Sequence, residues 1–311
     1  MSAPIIELPD VERLSPSVIR ILGGNPGKFT LQGTNTYLVG SGPKRILIDT
    51  GEGQPIWISN IKKTLSSENA SLEAVILTHW HLDHVGGVKD ILTLSPKPTI
   101  YKHDPDNGQE DITNGQTFSV EGATLKAFHS PGHTADHMAL ILEEEDALFT
   151  GDNVLGHGTA VFEDLTVYLK SLEAMSKIAN GRGYPGHGAV IPNCPEKIRE
   201  YIAHRAMRER EVIQVLGTAG EGKGLSVMEI VKIIYKDVPE SLHLPASRGI
   251  LQILEKLERE GKVAHNDEKD LWILSSKAVL LEGEAIEIGY NSLKSSIAAA
   301  PVTKSGLHVE S

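Results

Sequence analysis

Short apolar runs, each followed by a polar or glycine-rich turn, recur through the first half of the chain. The run at residues 74–77 is continuously apolar and rich in β-branched side chains, which is typical of a buried strand. Before it, Trp57, Ile61 and Leu65 stand at helical spacing. Similar strand-like runs occupy residues 37–39, 45–48, 99–101, 124–128, 138–142 and 147–150. This order of strands and helix predicts a layered α/β fold rather than an all-helical one.

From residue 196 onward, the apolar residues take the spacing of helices. A capping-box pattern at residues 226–229 begins one helix, and Ser247 is expected to cap another. Two short apolar segments, 263–265 and 271–274, predict a closing hairpin. Helices followed by a hairpin are typical of a small winged-helix module. The expected parts are therefore an α/β domain at residues 1–195, a helical, winged-helix-like module at 196–274 and a loose tail at 275–311.

Candidate chemistry is concentrated directly after the strand at residues 74–77. His79, His81, Asp83 and His84 stand between that strand and a pair of glycines. Neutral imidazole and carboxylate groups suit a borderline ion such as Zn²⁺. A surface cluster of histidines is the alternative, but such clusters rarely follow a buried strand and precede a double glycine. The stretch therefore predicts a metal site.

Three more candidate ligands also follow predicted strands. His133 stands in the turn HSPGH, Asp152 in TGD and His187 in the stiff loop PGHG. Because open α/β sheets build their sites at the carboxyl ends of strands, we expect these side chains to meet. The expected sets are His79, His81 and His133 at one metal, Asp83, His84 and His187 at a second, and Asp152 as a bridge between them. Two cations held close together can activate a shared water and polarise the bond that it attacks.

Other polar residues near these turns have less defined interpretations. Asp49 ends an apolar strand and is expected either to form the turn or to orient a ligand histidine. His129 and His137 are weaker candidates for ligands than His133, because a histidine near a metal is often a hydrogen-bonding neighbour instead. Asn35 and His157 are expected near the groove, without an assigned role.

The composition adds limits on compartment and partners. The chain has 311 residues and 40% hydrophobic content, and none of its apolar runs is long enough to span a bilayer. A formal net charge of -11 argues against broad binding to nucleic acid through the phosphate backbone. Cys194 is the only cysteine, which excludes a disulfide framework and a thiolate-rich zinc site. The N-terminal residues show neither a secretory nor a mitochondrial targeting pattern, so we expect a reducing, cytoplasmic location without membrane association.

The sequence HWHLDH at residues 79–84 matches the HxHxDH signature of the metallo-β-lactamase superfamily, and PGHT, TGD and PGHG resemble its later ligand motifs. This resemblance covers roughly the first 200 residues and fills all seven ligand positions. It implies a four-layer αβ/βα sandwich with two metals in a groove at the sheet edge. Many true β-lactamases place a cysteine where this chain has Asp152. The resemblance therefore implies two Zn²⁺ ions, with Mn²⁺ or Fe also possible, and makes hydrolysis of β-lactams less expected.

Longer segments resemble one branch of that superfamily, in which FTLQGTNTYLVG, ILIDTGEG and FTGDNVLGHGT recur. Two functions are found there: thioesterases that hydrolyse a fungal polyketide from its acyl carrier protein, and an endoribonuclease that cuts single-stranded RNA. IYKHDPDNGQ, EGATLKAFHSPGH, GRGYPGHGAVI and DVPESLHLPAS are more similar to the thioesterases. The resemblance thus implies a binuclear thioesterase of secondary-metabolite biosynthesis, with an acyl carrier protein as partner. The endoribonuclease is the alternative.

Either function implies that Asp83, at the second metal, carries the proton during the reaction. A non-catalytic scaffold is a third hypothesis, which the complete ligand set disfavours. The winged-helix-like module has two interpretations, a reader of nucleic acid or a structural lid beside the metal groove. Its last helix has no basic face, because it carries both signs of charge, at Arg248, Glu255, Lys256, Glu258, Arg259 and Glu260. We therefore favour the lid.

Overall fold

The computed structural model describes residues 6–178, 180–220 and 222–275. Two compact units divide between Ala206 and Met207, within a long helix. The boundary predicted at residues 195 and 196 stays a prediction, and the predicted tail, apart from Ser275, lies outside the described residues. In the described part of the chain, every helix is too short or too polar to cross a lipid bilayer.

Two sheets form the first unit. The first sheet has the strand order of the chain, antiparallel from β1 to β4 and parallel from β4 to β7. Its strands are β1 (Val11–Arg13), β2 (Val18–Leu22), β3 (Asn35–Val39), β4 (Lys44–Ile48), β5 (Ser71–Leu77), β6 (Thr99–Lys102) and β7 (Glu110–Asp111). The second sheet has the order β12-β11-β10-β9-β8, and only its β11–β12 pair is parallel. Its strands are β8 (Thr117–Val120), β9 (Ala123–His129), β10 (Met138–Leu142), β11 (Ala147–Gly151) and β12 (Gly183–Pro185).

The core of this unit lies on both faces of the first sheet, because successive strand residues point to opposite faces. In β3, Tyr37 packs between the two sheets, whereas Leu38 packs on the outer face. The outer face is covered by α1 (Pro55–Ser67), whose Trp57 is fully buried and donates from Nε1 to Thr36 Oγ1 at 2.9 Å. Strands buried on both faces explain the continuous apolar runs of the sequence. The predicted α/β class is confirmed.

Two single helical turns follow β5. They are α2 (Leu82–Val85) and α3 (Val88–Ile91), separated by the double glycine. A Cβ added at Gly87 would lie 2.2 Å from the Thr50 carbonyl oxygen. The chain therefore passes close to its neighbour at a position that only glycine permits. The remaining helices of this part are α4 (Leu165–Met175) and α5 (Cys194–Thr218), the helix within which the two units divide.

The second unit is a winged-helix fold, as predicted. It contains β13 (Gly224–Leu225), α6 (Val227–Ile234), α7 (His243–Arg259), β14 (Val263–Asn266) and β15 (Leu271–Leu274), with the antiparallel sheet order β13-β15-β14. The capping box is confirmed, because Ser226 Oγ accepts from Glu229 N while the Glu229 carboxylate accepts from Ser226 N. The cap predicted at Ser247 is wrong. The helix already begins at His243, and Ser247 Oγ donates to the Leu244 carbonyl oxygen instead.

Candidate metal centre

Three imidazole rings converge beyond the carboxyl end of β5. His79 Nε2 lies 3.0 Å from His81 Nδ1, and His133 Nε2 also lies 3.0 Å from that atom. Asp152 Oδ2 is 3.6 Å from His133 Nε2, and one ligand atom from each of these four residues lies within 4.8 Å of the others. We refer to His79, His81, His133 and Asp152 as the first group.

A second group, formed by Asp83, His84 and His187, lies around the same Asp152. Asp83 Oδ2 is 3.2 Å from His187 Nε2 and 3.4 Å from His84 Nε2. Asp152 approaches this group with both oxygens, Oδ2 at 3.3 Å from His187 Nε2 and Oδ1 at 3.5 Å from His84 Nε2. The structure therefore brings together all seven sequence-predicted ligands and places Asp152 between the two groups.

Close backbone packing sets the position of Asp152. Asp152 follows Gly151, the last residue of β11, and the adjacent parallel strand β12 leads directly into Gly186 and His187. A Cβ added at Gly186 would lie 2.2 Å from Asp152 Oδ1 and 3.0 Å from His84 Cε1. The glycine in PGHG is thus required for the carboxylate and imidazole to share this space.

In two of the rings, a hydrogen bond from the outer nitrogen aims the other nitrogen at the centre. His84 Nδ1 donates to Asp49 Oδ2 at 2.7 Å, and the same carboxylate accepts from Thr78 N at 2.8 Å. His133 Nδ1 donates to the Val161 carbonyl oxygen at 2.7 Å. Each bond fixes the tautomer that leaves Nε2 with a lone pair. Both interpretations of Asp49 apply, because its backbone also adopts a left-handed turn conformation with φ of 60°.

The donor set fits divalent cations. His84 Nε2 and Asp152 Oδ1 are buried and make no hydrogen bond, although both face the centre. Buried lone pairs without a partner are costly, and nitrogen and oxygen donors from several segments would satisfy them by binding one ion. Histidine with aspartate is a donor set that zinc commonly takes.

The pKa shifts follow from burial and from the carboxylates. Burial lowers the pKa of His79 and of His81, which keeps their rings neutral as metal binding requires. Burial acts the same way on His187, but Asp152 and Asp83 outweigh it and raise its pKa to about 9. Asp49 and Asp152 likewise raise the pKa of His84 against its burial. In both rings the shift has the same cause, the buried carboxylates beside them.

Two histidines that the sequence left outside the ligand sets lie outside both groups. His137 is fully buried, and its Nε2 accepts from Asp152 N at 3.1 Å, so it supports the backbone that carries the Asp152 carboxylate. His129 Nε2 donates to the Ala135 carbonyl oxygen at 3.0 Å, and its ring packs 4.5 Å from the ring of His103.

Sequence reasoning missed Thr34 and gave Asn35 no role. Thr34 Oγ1 accepts from Asn25 Nδ2 at 3.0 Å and donates to Asp83 Oδ2 at 3.3 Å. Asn35 is fully buried, and its Nδ2 donates to the carbonyl oxygens of Pro185 and Gly188, on both sides of His187. The signal available in the sequence was the polar run GTNT at residues 33–36, which leads into the apolar residues of β3.

Comparisons with known proteins agree with this architecture. Residues 29–108 and 101–187 match the family described as the metallo-beta-lactamase superfamily, and residues 226–272 match the beta-lactamase associated winged helix domain. The chain is 51% identical to an atrochrysone carboxyl ACP thioesterase of Aspergillus chevalieri, over 83% of this chain and 86% of that protein. It is 50% identical to the lactamase-like protein nscB of Aspergillus fumigatus, over 84% of each chain.

Solved structures show the same fold at lower identity. A beta-lactamase domain protein from Burkholderia ambifaria has a TM-score of 0.72 at 17% identity. The superposition covers 85% of this chain and 93% of that protein. A metallo-beta-lactamase family protein from Thermus thermophilus has a TM-score of 0.67 at 19% identity, over 85% of this chain and 100% of that protein. At these identities, the likeness concerns the fold alone.

Proposed function

The chain belongs to the metallo-β-lactamase superfamily, and on that premise we propose that it is a two-metal thioesterase that releases a polyketide acyl group from an acyl carrier protein. The observation that supports this most is a complete set of seven ligand side chains in a chain 51% identical to a carrier-protein thioesterase. The proposal includes the carrier protein as partner, secondary-metabolite biosynthesis as the setting and the cytoplasm as the compartment.

We propose the two groups as two sites for Zn²⁺, with Mn²⁺ as the other candidate, because every donor is nitrogen or oxygen. His79, His81 and His133 would hold one ion, and Asp83, His84 and His187 the other, with Asp152 shared between them. When bound, the pair would supply Lewis acidity, which lowers the pKa of water and polarises the thioester carbonyl.

Asp83 is the carboxylate placed to carry the proton. Its side chain is 23% exposed, whereas that of Asp152 is 11% exposed, so it is the more open of the two. Burial would raise the pKa of Asp83, but the neighbouring His187 and His84 imidazoles hold it well below the usual range. The ionised group can accept the proton of the attacking water and return it to the thiolate when the carbon–sulfur bond breaks. Thr34 orients this carboxylate.

A side-by-side turnover assay tests the proposal. Purified protein of known metal content is incubated with an acyl thioester on a phosphopantetheine arm and, separately, with single-stranded RNA. We expect thioester cleavage that a chelator abolishes and that added Zn²⁺ or Mn²⁺ restores, with the RNA left intact. Asp10→Ala, which removes an exposed carboxylate, is the control for preparation and folding. Cleavage of RNA without thioester cleavage would reverse the assignment in favour of the endoribonuclease alternative.

A further inference from the structure

The first group takes its ligands from both sheets. His79 and His81 follow β5 of the first sheet, whereas His133 stands in the connection between β9 and β10 of the second sheet. Apolar packing between two sheets fills space but is not directional, so it does not by itself fix how the two edges align. The geometry of the first group therefore depends on directional contacts that join the sheets at this edge.

One such contact is a buried ion pair between Lys102 and Asp136. Lys102 Nζ lies 2.7 Å from Asp136 Oδ2, and the two side chains are 5% and 6% exposed. Lysine and aspartate are almost never buried this far unless they are paired, because an unpaired charge loses its hydration. Both residues line a cavity of about 870 Å³ that Trp80 also lines, next to the ligand turn after β5.

Further contacts fix both ends of this pair. Lys102 Nζ also donates to the carbonyl oxygens of His103 and Asp104, at 3.0 Å and 2.7 Å, in the turn that follows its own strand. Asp136 Oδ1 accepts from Thr134 Oγ1 at 2.7 Å. Because hydrogen bonds to charged groups are about twice as strong as those between neutral groups, these contacts hold each side chain in one position.

The two ends of the pair belong to different sheets. Lys102 is the last residue of β6 and lies in register with Leu77, the last residue of β5, from which the chain enters the ligand turn. Asp136 lies in the connection between β9 and β10, after the ligand His133 and directly before His137. The ion pair therefore ties the loop that carries one ligand to the strand edge that leads to the others.

We propose that the Lys102–Asp136 pair positions His133 for the first group and thereby sets how tightly that group binds its metal. Neither side chain is among the candidate ligands, so the effect passes through the loop at residues 130–137. The second group should depend on the pair much less, because its members come from the turn after β5 and the loop after β12. This inference rests on the two metal sites of the proposed function and adds residues that determine their occupancy.

Stepwise titration of the metal-free protein with Zn²⁺, in competition with a chromophoric chelator, tests the pair. His133→Ala and His187→Ala show which binding step belongs to which group. In Lys102→Met, we expect the step assigned to the first group to weaken about tenfold, because side chains that orient a metal ligand commonly contribute about 10- to 100-fold to affinity. The step assigned to the second group should stay close to that of the wild type.

Two more variants separate positioning from the cost of a buried charge. Lys102→Met leaves Asp136 buried without its counter-ion, which by itself destabilises the fold, whereas Lys102→Met/Asp136→Leu removes both charges and is expected to be nearly neutral. The double variant should therefore unfold at close to the wild-type urea concentration and still bind the first-group metal about tenfold more weakly. Asp136→Asn keeps an acceptor and loses the charge, so it should fold and weaken the same step by a smaller factor.

Arg45→Met is the matched control. Arg45 is 3% exposed and contacts Glu68 Oε2 at 3.2 Å, at the amino end of β4 and away from the metal centre. Loss of this pair should lower the urea midpoint and leave both binding steps unchanged. Wild-type affinity at both steps in the double variant would overturn the positioning role, and so would an equal weakening of both steps in Lys102→Met. A wild type that binds fewer than two metal ions is a different result, and it would overturn the proposed metal sites themselves.

Discussion

The buried Asn35 side chain makes two hydrogen bonds to the loop that carries His187, and Asn35→Ala tests this support. Asn35 Nδ2 donates to the Pro185 carbonyl oxygen at 2.8 Å and to the Gly188 carbonyl oxygen at 2.9 Å. The substitution removes both bonds. It leaves the backbone bond from Asn35 N to the Gly186 carbonyl oxygen, at 2.7 Å, in place.

The expected cost follows from what each carbonyl keeps. A net hydrogen bond contributes about 1 kcal/mol to the free energy of unfolding, and a buried acceptor left without a partner costs about 1–3 kcal/mol more. The Pro185 carbonyl still accepts from the Tyr37 hydroxyl at 2.7 Å, so only the Gly188 carbonyl is left without a side-chain donor. Asn35→Ala should therefore lower the free energy of unfolding by about 3–5 kcal/mol.

Tyr37→Phe is the matched control, because it removes one hydrogen bond to the same loop and keeps the ring. Since the Pro185 carbonyl keeps Asn35 as a donor, this variant should cost only about 1 kcal/mol. Equilibrium unfolding in urea gives both values, and titration with a metal indicator reports the site that includes His187. If Asn35→Ala cost no more than Tyr37→Phe and kept full metal affinity, the support of His187 by Asn35 would be refuted.

Three further perturbations probe the centre and its surroundings. Asp49→Asn should weaken metal binding about 10- to 100-fold, because it replaces the carboxylate that fixes the tautomer of His84. Competition with a chromophoric chelator measures the metal affinity, and an unchanged affinity would contradict this role of Asp49. Asp83→Ala should abolish thioester turnover with the fold intact. Asp152→Ala should retain less metal than Asp83→Ala, because Asp152 contacts both groups. Equal metal contents in the two purified variants would count against Asp152 as a bridge. Gly87→Ala should lower the free energy of unfolding by about 1–3 kcal/mol, because the added Cβ would lie 2.2 Å from the Thr50 carbonyl oxygen and 2.5 Å from the buried Trp57 ring. Thermal unfolding measures this, and an unchanged Tm would rule out that packing.

The sequence by itself determined the class of fold and the candidate ligands. Strand positions could be inferred because burial on both faces of a sheet leaves continuous apolar runs, and the capping box at residues 226–229 is complete within four positions. The candidate ligands could be inferred because each directly follows a strand or stands in a glycine-rich turn. All of these signals are local.

Only the tertiary structure decided which groups support the centre and what lies beside it. Asn35 contacts carbonyl groups about 150 positions later in the chain, and Thr34 meets Asp83 across 49 positions. The cavity beside Trp80 joins segments that follow β5, β6 and β9. Even the break at Gly87 depends on a neighbouring strand end rather than on the helix pattern. Local periodicity records whether a position is buried, but not what it is buried against, because that depends on how strands distant in sequence pair and how the two sheets stack.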